Sequence, residues 1–120
     1  MGSVRILLIE DDSLNANFFL AVLEHDGHLV AHESSGIVGQ ARAQAEPFDL
    51  VLCDIDLRGQ DGIAVCRALR GSGFRGKLVV LTIHSDEPDR ALAREAGFDG
   101  FLEKPITPLA LRAAVREYAS

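Results

Sequence analysis

The chain has 120 residues, of which 48% are hydrophobic and 25% charged, a composition typical of an ordinary globular protein. This length suffices for one core, so we expect a single domain over residues 1 to 120. A formal net charge of -6 argues against binding nucleic acid through its phosphates, and no apolar run is long enough to cross a membrane.

The first third of the chain alternates between apolar runs and segments with helical spacing. The apolar run from Val4 to Ile9 is interrupted only by Arg5 and ends on Glu10-Asp11-Asp12, which predicts a buried strand with an acidic tip. Asp12 or Ser13 can cap the helix that follows. The elements expected in this part are a strand at Val4 to Ile9, a helix up to His25, a strand at His28 to Glu33 and a helix from Ile37 to Ala45.

The rest of the chain repeats this pattern three more times. The elements expected are strands at Leu50 to Cys53, Leu78 to Thr82 and Gly100 to Leu102, alternating with helices at Gly62 to Leu69, Pro88 to Ala96 and from Thr107-Pro108 onward. The last helix is predicted to turn Leu109, Leu111 and Val115 inward. Cys53 and Cys66 have neither metal-ligand nor redox spacing, so we expect them in the core of a protein from the reducing cytoplasm.

Five strands that alternate with five helices predict an α/β protein, with a five-stranded, doubly wound parallel sheet covered by helices on both faces. Because crossovers in such sheets are right-handed, the carboxyl ends of all strands lie at one edge. Five polar side chains follow directly where apolar strands end, and the sequence therefore predicts that they share this edge: Asp11, Asp12, Asp54, Thr82 and Lys104.

The three carboxylates in this set indicate a cation site. At a separation near 4 Å and an effective dielectric constant of about 20, each pair of carboxylates costs about 4 kcal/mol, so the site should bind protons or a metal. Mg²⁺ prefers such oxygen ligands. With Mg²⁺ present, a free oxygen of Asp54 can attack a phosphoryl group, while the Thr82 hydroxyl and the Lys104 ammonium contact its oxygens and spread the transferring charge.

With these residues the chain resembles the receiver domain of two-component response regulators over essentially its whole length. The acidic pair Asp11-Asp12, the acceptor-like Asp54, the Asp61-Gly62 turn, Thr82 and the Lys104-Pro105 dipeptide stand in the order and approximate spacing of that family. The resemblance implies a (βα)5 fold of the flavodoxin-like, CheY-like type. It also implies a signalling domain that catalyses only its own phosphorylation and dephosphorylation.

The resemblance further implies roles for individual residues. Asp54 would accept phosphate from a histidine of a partner kinase or phosphotransfer protein. Mg²⁺, for which Mn²⁺ can substitute, would be held by Asp12, Asp54, the backbone carbonyl of Asp56 and, less directly, Asp11. Thr82 and Phe101 would form the switch pair, and the Lys104-Pro105 peptide would be cis. The output partner would bind the face formed by the last two helices and the last strand, with Leu92, Phe101 and Leu109 as elements of it.

Three residues depart from the family pattern. Arg58 replaces a frequent proline, Ile83 stands where a small residue is usual, and Asp56 adds a charge beside the acceptor. We therefore expect slow phosphorylation by small donors and slow loss of the phosphate. Phe101 has no hydroxyl, so its switch position would depend on packing alone. His84 is expected to be a solvated loop residue.

Two other functions remain open at this point. The Asp54-Ile55-Asp56 triplet resembles the nucleophile and acid/base pair of haloacid-dehalogenase-like phosphohydrolases, although that motif normally follows the first strand of a longer chain and Arg58 replaces its usual threonine or valine. A pseudo-receiver that binds partners without phosphorylation is the other alternative, because Arg58 and Ile83 depart from the usual residues.

Overall fold

The computed structural model describes residues 3–57, 61–83 and 86–119. The predictions for Arg58 and His84 therefore lie outside the described residues. Strands and helices alternate in the predicted order: β1 (Arg5–Ile9), α1 (Ser13–His25), β2 (Leu29–Glu33), α2 (Gly36–Ala45), β3 (Leu50–Asp54), α3 (Gly62–Gly71), β4 (Lys77–Thr82), α4 (Glu87–Ala96), β5 (Gly100–Glu103) and α5 (Pro108–Ala119).

The five strands form one parallel sheet in the order β2-β1-β3-β4-β5. The chain moves outward from β1 to one edge and then across β3 to the other edge, which is the doubly wound arrangement that the alternation predicts. In this order the tips of β1 and β3 are neighbours at the centre of the sheet. A ligand site is favoured at such a point, where the direction of winding reverses.

The core has two layers, one on each face of the sheet. Successive residues of a strand point to opposite faces, so Ile6 and Leu8 pack toward α1 and α5, whereas Leu7 and Ile9 pack toward α2, α3 and α4. All residues of β3 are buried, as expected for the central strand of a sheet covered on both sides. Cys53 and Cys66 are free thiols within this core, which confirms their predicted place.

Polar side chains at the helix ends explain where four of the helices begin. The carboxylates of Asp12, Asp61 and Asp86 and the hydroxyl of Ser35 each accept a hydrogen bond from a backbone N–H of the following first turn. These groups satisfy donors that the helix itself leaves unpaired. At the other end of α4, Gly97 takes the left-handed conformation with φ of 112°, and the helix ends there.

The observed elements differ from the predicted ones in two respects. Eight elements differ from their predicted ranges at one end, by one or two residues, because helix and strand ends depend on backbone hydrogen bonds rather than on apolar pattern. The prediction that Leu109 faces inward is wrong, since its side chain is 75% exposed, while Leu111 and Val115 are buried as expected. Leu109 lies in the first turn of α5 and projects away from the sheet. Across the described part of the chain, no helix is both long and apolar enough to cross a membrane.

Candidate phosphoacceptor and cation site

The candidate site lies at the carboxyl edge of the sheet, where four strands deliver polar residues. Glu10 follows β1, Asp54 ends β3, Thr82 ends β4 and Lys104 follows β5. Backbone hydrogen bonds continue the sheet just past the strand ends, because Glu10 N donates to Glu33 O and Lys104 N donates to Thr82 O. The positions of these residues are thus set by the sheet itself rather than by free loops.

The Lys104 ammonium is the centre of the site. Its Nζ lies 2.8 Å from Asp54 Oδ2 and 3.0 Å from Glu10 Oε1, so one cation joins the tips of β1, β3 and β5. Both carboxyl groups are almost completely buried. Removal of one partner from such a group leaves a buried charge uncompensated, which makes each member of this triad sensitive to substitution.

Asp54 is held in its ionised form. Burial raises the pKa of its carboxyl, but hydrogen bonds with Glu10, with Lys104 and with the Asp56 backbone outweigh burial and keep the pKa below its usual value. The Asp56 N–H donates to Asp54 Oδ1 over 2.8 Å. Because both oxygens have fixed partners, the carboxylate has one orientation in the site.

Glu10 is a site residue that the sequence prediction missed. Its side chain is 0% exposed, and burial, followed by its hydrogen bond with Asp54, raises the pKa of its carboxyl to about 7. Its Oε2 atom is buried and has no hydrogen-bond partner among the described residues. The position of Glu10 directly after an apolar strand, one residue before the pair that was chosen, is the signal that could have found it.

The two aspartates after Glu10 have different places. Carboxylate oxygens of Glu10, Asp11 and Asp54 lie within 4.8 Å of one another, as the ligands of one metal ion do. Asp12 instead caps α1, where Asp12 Oδ1 accepts from the backbone N–H of Leu14 at 2.9 Å. The structure therefore does not place Asp12 in the acidic group and differs here from the predicted ligand set. The physical reason is that α1 begins directly at residue 13 and needs a cap at residue 12.

The predicted switch residues lie on neighbouring strands. Thr82 is buried at the end of β4, and Phe101 is half-buried in β5. The ring of Phe101 lies 5.4 Å from the guanidinium carbon of Arg90 and 5.9 Å from that of Arg94, both on α4. The Lys104-Pro105 peptide bond is cis.

A glycine allows the start of α3 to pack closely against the backbone of Asp54. A Cβ atom built on Gly62 would lie 2.5 Å from the Asp54 backbone oxygen and 2.7 Å from Ile55 Cα. No other residue fits at this distance without moving the backbone. The Asp61-Gly62 pair thus caps the helix with its first residue and admits close packing with its second.

A cavity of about 430 Å³ lies beside the Lys104 side chain. Its walls are largely apolar, and it is lined by Asn15, Phe18, Ile83, Lys104, Pro105 and Ile106. Ile83 is 61% exposed, so its side chain forms part of the surface of this cavity.

The chemistry of the acidic group suits a hard divalent cation. Its donors are carboxylate oxygens, and one of them, Glu10 Oε2, is buried without a hydrogen bond. Mg²⁺ takes oxygen ligands and keeps several waters, so it does not need a complete set from the protein. The residues present therefore fit a magnesium site beside the ionised Asp54 carboxylate.

Comparisons with known proteins agree with this geometry. The response regulator receiver domain family matches residues 6–116. The DNA-binding response regulator MtrA of Mycobacterium tuberculosis is 38% identical over 113 residues, which cover 93% of this chain and 49% of MtrA. The alkaline phosphatase synthesis transcriptional regulatory protein PhoP of Bacillus subtilis is 31% identical, over 93% of this chain and 47% of PhoP. The chain thus spans about half the length of these relatives.

Solved structures show the same fold. The receiver domain of the sensor histidine kinase PA1611 from Pseudomonas aeruginosa superimposes with a TM-score of 0.89 at 27% identity, and the alignment covers 98% of each chain. The chemotaxis protein CheY4 of Vibrio cholerae gives a TM-score of 0.90 at 19% identity, over 98% of this chain and 99% of CheY4. The sheet order and the family match do not favour the phosphohydrolase alternative. The chain therefore belongs to the response regulator receiver domains, the phosphorelay modules of two-component signalling.

Proposed function

We propose that Asp54 is the phosphoacceptor of this domain and receives a phosphoryl group from a phosphohistidine of a histidine kinase or histidine phosphotransfer protein. The observation that carries this proposal is the contact of one lysine ammonium with the buried, ionised Asp54 carboxylate and with Glu10 beside it. Such an arrangement supplies a nucleophile and a charge partner for a phosphoryl oxygen at one place. A kinase partner of this kind would place the domain in the cytoplasm.

In the proposed transfer, a carboxylate oxygen of Asp54 forms a bond to phosphorus while the bond from phosphorus to the donor imidazole nitrogen breaks. The imidazole nitrogen keeps the electron pair of that bond. No general base is needed, because the pKa of Asp54 lies below its usual value and the carboxylate is already ionised. The apolar cavity beside Lys104 offers the donor protein a surface next to this carboxylate.

We propose that Glu10, Asp11, Asp54 and the backbone carbonyl of Asp56 hold Mg²⁺, for which Mn²⁺ can substitute. When bound, the ion would neutralise the acidic group and the charge on the phosphoryl oxygens. Support comes from the convergent carboxylate oxygens and from the related PA1611 receiver domain, whose structure is described with a magnesium ion coordinated in its active-site cleft. Asp12 is left out of this ligand set because it caps α1.

Lys104 and Thr82 are proposed to bind the transferred group. The Lys104 ammonium now contacts Asp54 Oδ2 and can pair with a phosphoryl oxygen attached at that carboxylate. The Thr82 hydroxyl, at the end of the adjacent strand, can donate to a second oxygen. Donors placed in advance around a developing charge contribute most in buried sites such as this one.

The proposed output is a change of the face formed by α4, β5 and α5. The new phosphoryl group adds roughly two negative charges at the sheet edge, which would draw Thr82 inward and let Phe101 follow. Leu92 and Leu109 are exposed on the last two helices and are available to a partner on this face. MtrA is named a DNA-binding regulator, so a DNA-binding output domain is the first partner to test, with no contact of this domain to the nucleic acid itself.

Intact mass tests the proposal. After incubation with Mg²⁺ and a small acyl or amido phosphate donor, the chain should gain one hydroxylamine-labile phosphoryl group. The Asp54→Asn variant should gain none, whereas Asp56→Asn, which removes an exposed carboxylate two residues away, should still be labelled. Labelling of Asp54→Asn would refute Asp54 as the acceptor. An unlabelled wild-type chain that binds Mg²⁺ and also resists a phosphorylated partner kinase would instead indicate a pseudo-receiver.

A further inference from the structure

A histidine on the edge strand of the sheet contacts the backbone of the acidic site. His32 lies in β2, and its Nε2 is 2.8 Å from the backbone oxygen of Glu10. Since a carbonyl oxygen only accepts hydrogen bonds, Nε2 carries the proton and donates it. Glu10, which accepts this hydrogen bond, lies immediately beyond Ile9, the last residue of β1 that pairs with β2.

We infer that His32 is a positioning residue for the cation site and fixes the short segment that carries two of its three carboxylates. This inference rests on the proposed function, because it concerns the proposed magnesium site. It assigns a role to a side chain whose hydrogen bond goes to the backbone carbonyl of Glu10 and not to a carboxylate.

The backbone of Glu10 is held to β2 from both sides. Its N–H donates to the Glu33 carbonyl over 3.1 Å, and its carbonyl accepts from His32. Glu33 is itself anchored, since its carboxylate forms an ion pair with Arg42 of α2 at 3.0 Å. His32 and Glu33 thus act together as a fixed support on which the end of β1 lies.

The fixed segment is short. β1 ends at Ile9 and Asp12 is already committed to the cap of α1, so only Glu10 and Asp11 lie between two fixed points. Without the His32 bond, the peptide between these two residues would lose a support on one side. The carboxylate of Asp11 and the buried carboxylate of Glu10 would then sample more positions, and fewer of them would suit a cation.

Magnesium affinity is the measurement that separates this role from a general contribution to stability. In His32→Leu the dissociation constant for Mg²⁺, measured by calorimetry at one fixed pH, should rise about tenfold, at the lower end of the effect of removing a group that orients metal ligands. In His32→Gln, whose side-chain amide can donate to the same carbonyl, most of the affinity should return.

His28 provides a matched control. It also makes a histidine-to-backbone hydrogen bond next to β1, because its Nδ1 accepts from Val4 N at 3.3 Å, but it lies at the opposite end of the β1–β2 pair. His28→Leu should therefore leave the magnesium affinity unchanged, even where urea unfolding shows a comparable loss of stability. Should His32→Leu fail to fold, His32→Thr serves in its place, because threonine suits an edge strand and is too short to reach the carbonyl.

Two results would overturn the inference while leaving the proposed function intact: a folded His32→Leu with an Mg²⁺ affinity within about twofold of the wild type, or an equal loss in His28→Leu. Failure of the wild-type chain to bind Mg²⁺ at all would overturn the proposed cation site and the positioning role with it.

Discussion

The raised pKa of Glu10 gives a quantitative prediction for metal binding. In the metal-free protein the pKa of Glu10 is raised to about 7, first by burial and then by its hydrogen bond with Asp54. Glu10 therefore holds a proton over much of the range below pH 7 and must release it to act as an anionic ligand. Asp54, whose pKa is lowered, is ionised between about pH 6 and pH 8, so it does not contribute to the pH dependence there.

The size of the effect follows from the fraction of protonated Glu10. With a pKa of about 7, roughly ten of every eleven molecules carry the proton at about pH 6, and about one in eleven at about pH 8. The apparent affinity for Mg²⁺ should therefore rise about tenfold between these two pH values, with about one proton released per ion at the lower one.

Calorimetry in two buffers with different ionisation enthalpies measures both quantities at once, the affinity and the number of protons released. The control is Glu10→Gln, which keeps the side-chain shape and removes the titrating group. Its affinity should be weaker and independent of pH. A pH dependence that persists in Glu10→Gln would come from other groups and not from Glu10. A wild-type affinity that is equal at both pH values, with no proton released, would refute the protonation of Glu10.

Three further predictions follow from the same contacts. In urea unfolding of the metal-free protein, the wild type should lose stability as the pH rises from about 4.5 to about 7, because folding raises the pKa of Glu10, and Glu10→Gln should not show this loss. Lys104→Met should slow phosphorylation by a small phosphodonor about a hundredfold, because the ammonium that pairs with a phosphoryl oxygen is gone, while the Mg²⁺ affinity should stay the same or rise. An unchanged rate would exclude Lys104 as a binding group for the phosphoryl oxygen. A double-mutant cycle of Arg90→Gln with Phe101→Leu should give a coupling of about 0.5 to 1 kcal/mol, and additive effects would show that the cation–π contact contributes nothing.

The α/β class and the carboxyl-edge site could be predicted because both are consequences of local pattern. Continuous apolar runs such as that of β3 indicate strands buried on both faces, and the helical spacing between them indicates crossovers. Once the strands are parallel, right-handed connections alone bring Asp54 and Lys104 to one edge from positions 50 residues apart. The sequence could also show that Gly62 follows a capping residue, but not which backbone it approaches.

Leu109 shows that an apolar residue in a helix need not lie on the buried face. The buried residues of α5 are Leu111, Ala114 and Val115, which follow one another at the helical spacings of three and four residues. Leu109 precedes Leu111 by two residues, which places it about 200° around the helix from that face, and it is 75% exposed. The inward prediction for Leu109 was therefore wrong because it followed the apolar character of the residue and not its helical position.

The acidic tip of β1, Glu10-Asp11-Asp12, shows which features of the site follow from the sequence and which follow from the tertiary structure. The sequence by itself determined that three consecutive carboxylates follow a buried strand and precede a helix, because these features depend only on neighbours along the chain. Which of the three face Asp54 was decided by tertiary structure. The start of α1 commits Asp12 to a cap, the pairing of β1 with β2 sets Glu10, and Lys104 reaches Glu10 from 94 residues away. Such choices depend on distances between segments that are remote in the chain, and only the folded sheet defines those distances.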